Sequence, residues 1–309
     1  MAAFVARRIA VALLLVWGVV TVTFLLIHAA PGDPAELSQT KDLPLPQQYG
    51  RYLYGLARGD LGWSSSYQRP VASVLVEHLP PTLELTALAF ALQLVAGVWA
   101  GSIAAWRRGS WADAILSGGS LALRSMPLFV LGALLILVFS VNLRWLPSSE
   151  MRDLVAAPTS FWGGLFDRGR HLFLPVICLG LGSAGSTARS VRSSLVGYLS
   201  GGRGLAARAR GAEEESVLVG HALLNMLPRL VARTGKTVPF LLGGALIVEN
   251  VFSWPGIGHL AVEAVFARDI PVVLAAHLAL AIGVISASLL SDVCRLFIDP
   301  RLRLGRRSR

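Results

Sequence analysis

Six stretches of mostly apolar residues, each close to bilayer-spanning length, constrain this chain more than any other feature of it. Inside hydrocarbon every backbone N–H and C=O must find a partner within the protein, so only helices and closed barrels cross. The runs here are continuous rather than alternating, and several reach the ~20 residues that a spanning helix needs. They therefore predict an all-α polytopic membrane protein, a single transmembrane domain over residues 1–309. The expected spans are 9–28, 83–106, 114–141, 172–188, 230–252 and 271–293. Charged residues are 15% of the chain, against about a quarter in a soluble domain.

The first run could pass for a signal peptide, because Arg7 and Arg8 precede it and Ala29-Ala30 follows it. It exceeds the ~7–15-residue core of such a signal, and Pro31 would lie directly after the cut. A retained first helix is the reading that follows. The net charge of +10 comes from arginines beside apolar runs, at Arg7-Arg8, Arg107-Arg108, 203–210 and 301–309. This pattern points to anionic lipid at cytoplasmic loops, not to nucleic acid. Placing the N-terminus inside puts the richer arginine set inside, so both termini are expected in the cytoplasm, with 31–81 as the main outer segment. Gly97 and Gly101, and Gly180 and Ala184, stand four apart, a spacing that lets helices approach closely in lipid. Gly118-Gly119 and Gly243-Gly244 are read the same way. No internal repeat supports an inverted-repeat transporter.

Residues 204–228, GLAARARGAEEESVLVGHALLNMLP, are too charged to cross a bilayer and read as two short helices broken at Gly211. Leu205, Ala206, Ala207, Arg208, Ala209 and Arg210 are good helix formers, and Gly211 allows a sharp turn. Glu213, Glu214 and Glu215 suit the positive end of the next helix, on which Val217, Leu218, Ala222 and Leu223 make an apolar patch, with His221 beside it. A cytoplasmic helix pair of this kind is a candidate docking element for a soluble partner.

Few residues offer chemistry. Glu249 and Asn250, near the outer end of the fifth span, are candidates for a translocation or gating role, because an acid embedded in a membrane is costly; a loop cap or an interfacial acid is the alternative. Arg124 in the third span is either a snorkelling side chain or a cavity charge. His277 in the sixth span either faces a polar path or is hydrogen-bonded inside the bundle. Asp292 reads as an interfacial charge. The chain has no nucleophile elbow, metalloprotease helix or phosphate-binding loop, and its two cysteines, Cys178 and Cys294, make no metal-ligand spacing. Work on a solute would need energy delivered from elsewhere.

The chain resembles the permeases of ATP-binding-cassette importers, specifically the first permease subunit of the dipeptide, oligopeptide and nickel importers. Ala206, Ala207 and Gly211 match the family's cytoplasmic Glu-Ala-Ala…Gly signature. Nearly the whole chain takes part, through Pro31-Gly32-Asp33-Pro34, Gly59-Asp60-Leu61-Gly62, Leu79-Pro80-Pro81-Thr82, Ser125-Met126-Pro127, Trp145-Leu146-Pro147 and His171-Leu172-Phe173-Leu174-Pro175. The most specific run is Val248 to Gly258, VENVFSWPGIG. The resemblance implies the type I importer fold in the bacterial inner membrane, a second homologous permease subunit, two cytoplasmic ATPases and an extracytoplasmic solute-binding protein. It also implies that residues 205–224 form the coupling helix, that ATP and Mg²⁺ are held by the ATPases, that this chain binds no cofactor, and that it is not an enzyme. Leu205 stands where relatives carry a polar residue, and Glu213 to Glu215 where they carry more arginine, which implies an ATPase groove that accepts acid. A di- or oligopeptide is the expected solute, with nickel or another chelated metal as the alternative. A stand-alone channel or secondary transporter is the rival from another class.

Overall fold

The computed structural model describes residues 2–29, 43–151, 160–211, 222, 226 and 237–298. Helix α1 (Ala2–Ala29) is followed by α2 (Leu45–Ala57) and a two-residue hairpin, β1 (Trp63–Ser64) with β2 (Arg69–Pro70), in which Trp63 pairs with Pro70. Then come α3 (Val71–Trp106), α4 (Trp111–Ser125) and α5 (Leu128–Leu135), the last continued by π-helical turns over Ile136–Asn142. Helices α6 (Phe161–Ser200), α7 (Gly202–Ala209), α8 (Val238–Val251), α9 (Ile257–Phe266) and α10 (Ile270–Ile298) complete the described chain.

Four helices are long and apolar enough to cross a membrane, α1, α3, α6 and α10, or five if the α4–α5 pair counts as one span. Six spans were expected. The fifth is described only from Thr237 onward, as the 14-residue α8, and 230–236 lie outside the described residues. The third expected span, 114–141, is not one straight helix: α4 and α5 meet at 107°. Met126 is the reason. It precedes Pro127, whose ring disfavours the helical region for its predecessor, and its backbone is extended at φ −84° and ψ 127°.

Two helices are longer than their sequence pattern suggested. Helix α3 starts at Val71, not near Leu83, and runs through Pro80-Pro81. Proline inside a helix removes a hydrogen bond and costs ~3 kcal/mol. The missing N–H groups of Pro80 and Pro81 leave the carbonyls of Val76 and Glu77 without their helical donors, and just beyond them the Trp254 indole N–H donates to the Pro81 carbonyl at 3.0 Å, anchoring this part of α3 to another element. Helix α6 has 40 residues, about 60 Å at 1.5 Å per residue, and passes through Pro175 without ending.

Helix α6 is the spine, with α3 laid along it. Glycine makes that approach possible. A Cβ on Gly97 would sit 2.6 Å from Thr187 Cβ, and one on Gly101 2.7 Å from Val191 Cβ. On α6 itself, Gly180 lies against the Ala89 carbonyl and Gly185 against the Ser120 carbonyl. Of the second glycine pattern, Gly244 is packed against Leu179, whereas a Cβ on Gly118, Gly119 or Gly243 would meet nothing within this subunit. The core gathers Leu85, Leu174, Leu179, Leu241, Val248 and Trp254 at the crossing of α3, α6 and α8. Helix α1 is peripheral, held to α10 by an Arg8–Asp292 ion pair at 2.6 Å.

Candidate functional site

The run from Val248 to Gly258 folds as a reversal from the end of α8 into α9. Glu249 is fully buried and is the centre of this turn. Its Oε2 accepts the backbone N–H of Gly258 at 2.7 Å and of His259 at 3.2 Å. These are the unpaired donors of the first turn of α9, so the carboxylate caps that helix and meets its positive end. Thr82 on α3 accepts the N–H of Ile257 at 2.8 Å. The turn is thus pinned to α3 twice, through Thr82 and through Trp254 on Pro81. Glycine is required at 256 because an added Cβ would overlap the Glu249 carboxylate, and at 258 because it would lie 2.5 Å from Leu246 Cα. Asn250 is held in the same turn: its Nδ2 donates to the Leu246 carbonyl at 2.7 Å and the Gly258 carbonyl at 3.3 Å, and its Oδ1 faces His259 Nδ1 at 3.3 Å.

Glu249 and Asn250 are therefore brought together, but not with the other two candidates. Arg124 is exposed in the last turn of α4, next to the bend, where a cation suits the helix's negative end. His277 lies on an exposed face of α10 and shares its Nδ1 with the Val273 carbonyl of its own helix at 2.8 Å, so it is not inside the bundle.

At the opposite end of α6, Gly201 breaks the helix with an extended backbone and α7 begins at Gly202. Gly204 is buried in the reversal, where a Cβ would sit 2.7 Å from the Leu199 and Tyr198 carbonyls. Within the candidate docking loop, residues 205–209 are helical, as expected. Arg210 Nε donates to the Ala206 carbonyl at 3.1 Å. Gly211 has φ +83°, the left-handed conformation that glycine adopts most cheaply. Glu213, Glu214, Val217, Leu218 and His221 lie outside the described residues. Ala222 and Met226, from the second half of the loop, are buried against Ala105 of α3 and Val191 and Leu195 of α6.

Two further groups organise the bundle and were not singled out in the sequence. Asp113 takes a two-pronged pair from Arg192 of α6, at 2.7 and 2.6 Å, and also accepts the Gly109 N–H and the Ser117 hydroxyl. Asp269 is fully buried and accepts the Ser64 hydroxyl at 2.5 Å, the Ser66 N–H at 3.1 Å and the Val272 N–H at 3.3 Å, tying the hairpin to the start of α10. Each had a legible signal. Ser110-x-x-Asp113 is a capping pattern before an apolar run, and Asp269 stands two residues before Pro271 at a helix start. On the same hairpin, burial and then the neighbouring charge of Glu263 raise the Tyr67 phenol above its ordinary value. Among the described residues no three His, Cys, Asp or Glu side chains converge as a metal site would require.

Residues 97–304 match the family of binding-protein-dependent transport system inner membrane components. The chain belongs to that family. The permease is 36% identical over 333 residues to the di/tripeptide transport system permease protein DppB of Pseudomonas aeruginosa, covering 98% of this chain and 99% of that one. It is 37% identical over 296 residues to the glutathione transport system permease protein GsiC of Escherichia coli, covering 91% and 92%. Among solved structures it resembles an inward-facing form of the MetNI methionine ABC transporter, with TM-score 0.52 and 20% identity over 76% of this chain and 98% of that chain. That likeness bears on the fold, the type I importer permease fold. The permease is a multi-pass protein of the inner membrane, and membership implies ATPase and substrate-binding protein partners.

Proposed function

We propose that this permease forms half of the solute path of an ATP-driven importer of short peptides and receives its driving motion through residues 204–228. The observation that carries the reading is the seating of Ala222 and Met226 against α3 and α6 together. A loop displaced from the cytoplasmic side would push α3 and α6 at once. The relatives' names, a di/tripeptide permease and a glutathione permease, favour a peptide over chelated nickel. A second homologous permease subunit would complete the path, and two ATPases would hold ATP and Mg²⁺. The binding protein would deliver solute to the side carrying α2 and the hairpin. Both termini and the docking loop would then face the cytoplasm. The permease itself would bind no cofactor and catalyse no reaction.

Gly211→Glu tests the coupling role. A non-glycine residue in the left-handed region costs about 1–2 kcal/mol, and the new acid would alter the docking surface. The variant should insert and co-purify with its partners. Uptake of a labelled dipeptide should fall, and ATP hydrolysis should lose its stimulation by the binding protein. Full uptake by an assembled Gly211→Glu transporter would remove the loop from the mechanism.

A further inference from the structure

The first turns of α6 carry an outward-facing stripe that the transport reading does not use. Trp162, Leu165, Phe166, Arg170 and Phe173 follow one another at helical spacing and, with Leu146 as the opposite wall, line a groove of about 600 Å³. Trp162 and Phe166 are 75% and 70% exposed. The buried side of the same helix is formed by His171, Leu172, Leu174 and Pro175, so the stripe faces away from the bundle.

Arg170 gives the groove its charge. Its Nη2 donates to the Trp145 carbonyl at 3.2 Å, and no carboxylate among the described residues pairs with it. Its neighbour Arg168 differs, being neutralised by Glu84, with Nε 3.0 Å from both carboxylate oxygens and Nη2 also donating to Oε2. Among the described residues the groove is therefore apolar with one cation that no carboxylate pairs.

Position along the helix says what such a groove meets. Arg170 and Arg189 are separated by 19 residues of continuous α6, about 28 Å at 1.5 Å per residue, close to the ~30 Å of a bilayer's hydrocarbon layer. Arg170 thus falls at headgroup depth. The exposed rings of Trp145, Phe161 and Trp162 gather at the same end, where aromatic side chains form interfacial belts. Phe173, one turn deeper, lies at acyl depth.

We propose that this groove is a binding site for a phospholipid with an anionic headgroup. The phosphate sits against the Arg170 guanidinium, the acyl ester region lies on Phe173 and Leu146, and Trp162 and Phe166 cover the headgroup side.

The test uses the whole transporter in nanodiscs of phosphatidylcholine, doped in turn with photoactivatable phosphatidylglycerol and photoactivatable phosphatidylcholine. Peptides spanning 161–173 are then scored for label. Phosphatidylglycerol should label them about fivefold more than phosphatidylcholine, the ratio that one basic residue at an anionic surface supplies. Arg170→Gln should abolish the preference, and Arg170→Lys should keep most of it. Equal labelling by the two lipids, or an unchanged preference in Arg170→Gln, overturns the proposal. So does label found only on another polypeptide, which would mean that a protein covers the groove. If neither variant assembles, the wild-type preference decides alone. Dipeptide uptake is not the readout, so the outcome is independent of the proposed substrate.

Discussion

Glu249 Oε2 lies 2.7 Å from the backbone nitrogen of Gly258, nine residues further along the chain and across a helix reversal. This one bond explains why a membrane protein keeps a buried acid in a glycine-rich turn. The carboxylate replaces the missing fourth-residue carbonyls at the start of α9, and the glycines leave it room. Cap and cavity specify each other.

Gly256→Ala should therefore be among the most damaging small substitutions in the chain. Its Cβ would overlap a carboxylate that is walled in by α3 and α9. Overpacking at such a site costs about 1–3 kcal/mol. The measurement is the melting temperature of the detergent-solubilised assembly, together with the amount of subunit in membranes. A variant that melts with the wild type would mean that Glu249 is free to move aside.

Glu249→Gln separates the capping role from the gating role. The amide keeps one acceptor for Gly258 and His259. It also places an NH₂ where Oε1, buried, has no partner among the described residues. Losing a charged acceptor and burying an orphan donor should destabilise the assembly by about 1–3 kcal/mol. Uptake per assembled transporter should hold near the wild-type level. Normal stability with altered uptake would mark Glu249 as a gating group instead.

The sequence carried the architecture because its main determinants are local. Apolar runs long enough to cross a bilayer, a charged glycine-broken loop and four-residue glycine spacing each act within a few turns of one helix. Non-local contacts are harder to read. The expected second span starts at 83, after Pro80-Pro81, yet α3 runs through both prolines, and Trp254, far away in sequence, donates to the Pro81 carbonyl. Met126-Pro127 was absorbed into a single span because apolar content is continuous across it, whereas the backbone turns by 107°. The site divided along the same line. The VENVFSWPGIG run stood out by its pattern, but pattern alone left Glu249 open between a gate and a cap. Only the fold puts Gly258 N–H on its carboxylate. Asp113 and Asp269 were passed over because each looks like an ordinary helix-start acid until its partner from another element is in view.

The two kinds of glycine make a paired prediction. Gly101→Ala drives a Cβ to 2.7 Å from Val191 Cβ and onto the Ala188 carbonyl, so α3 must move off α6. That should cost about 1–3 kcal/mol and depress uptake, because the same contact lies beside the seat of Ala222 and Met226. Gly118→Ala enters open space in the middle of α4. Within this subunit it should be stabilising by about 0.5–1 kcal/mol, the gain of replacing a helical glycine. Thermal melting of both variants checks the pair. A Gly118→Ala variant that no longer co-purifies with the other permease subunit would instead place that open face in the subunit interface.

Asp113 and Arg192 give the last prediction, and it concerns how the motion proposed to enter at the loop would reach the bend between α4 and α5. Arg192 lies two turns before the end of α6, and its guanidinium grips both oxygens of Asp113 in the first turn of α4. Asp113 is also fixed by Ser117 and by the Gly109 N–H, so the carboxylate cannot follow Arg192 without carrying the α4 terminus along. Asp113→Asn keeps the cap but removes the charge, and Arg192→Gln removes the grip. Each single variant should lose about 1.5–3 kcal/mol, as for hydrogen bonds to charged groups. The double variant should lose clearly less than the sum, with a coupling energy within the ~0.5–3 kcal/mol range of contacting pairs. Uptake should fall in the single variants in parallel with that loss. Additive losses would show that α4 is held by the close approach of the Ser120 backbone to Gly185 and that the ion pair transmits nothing.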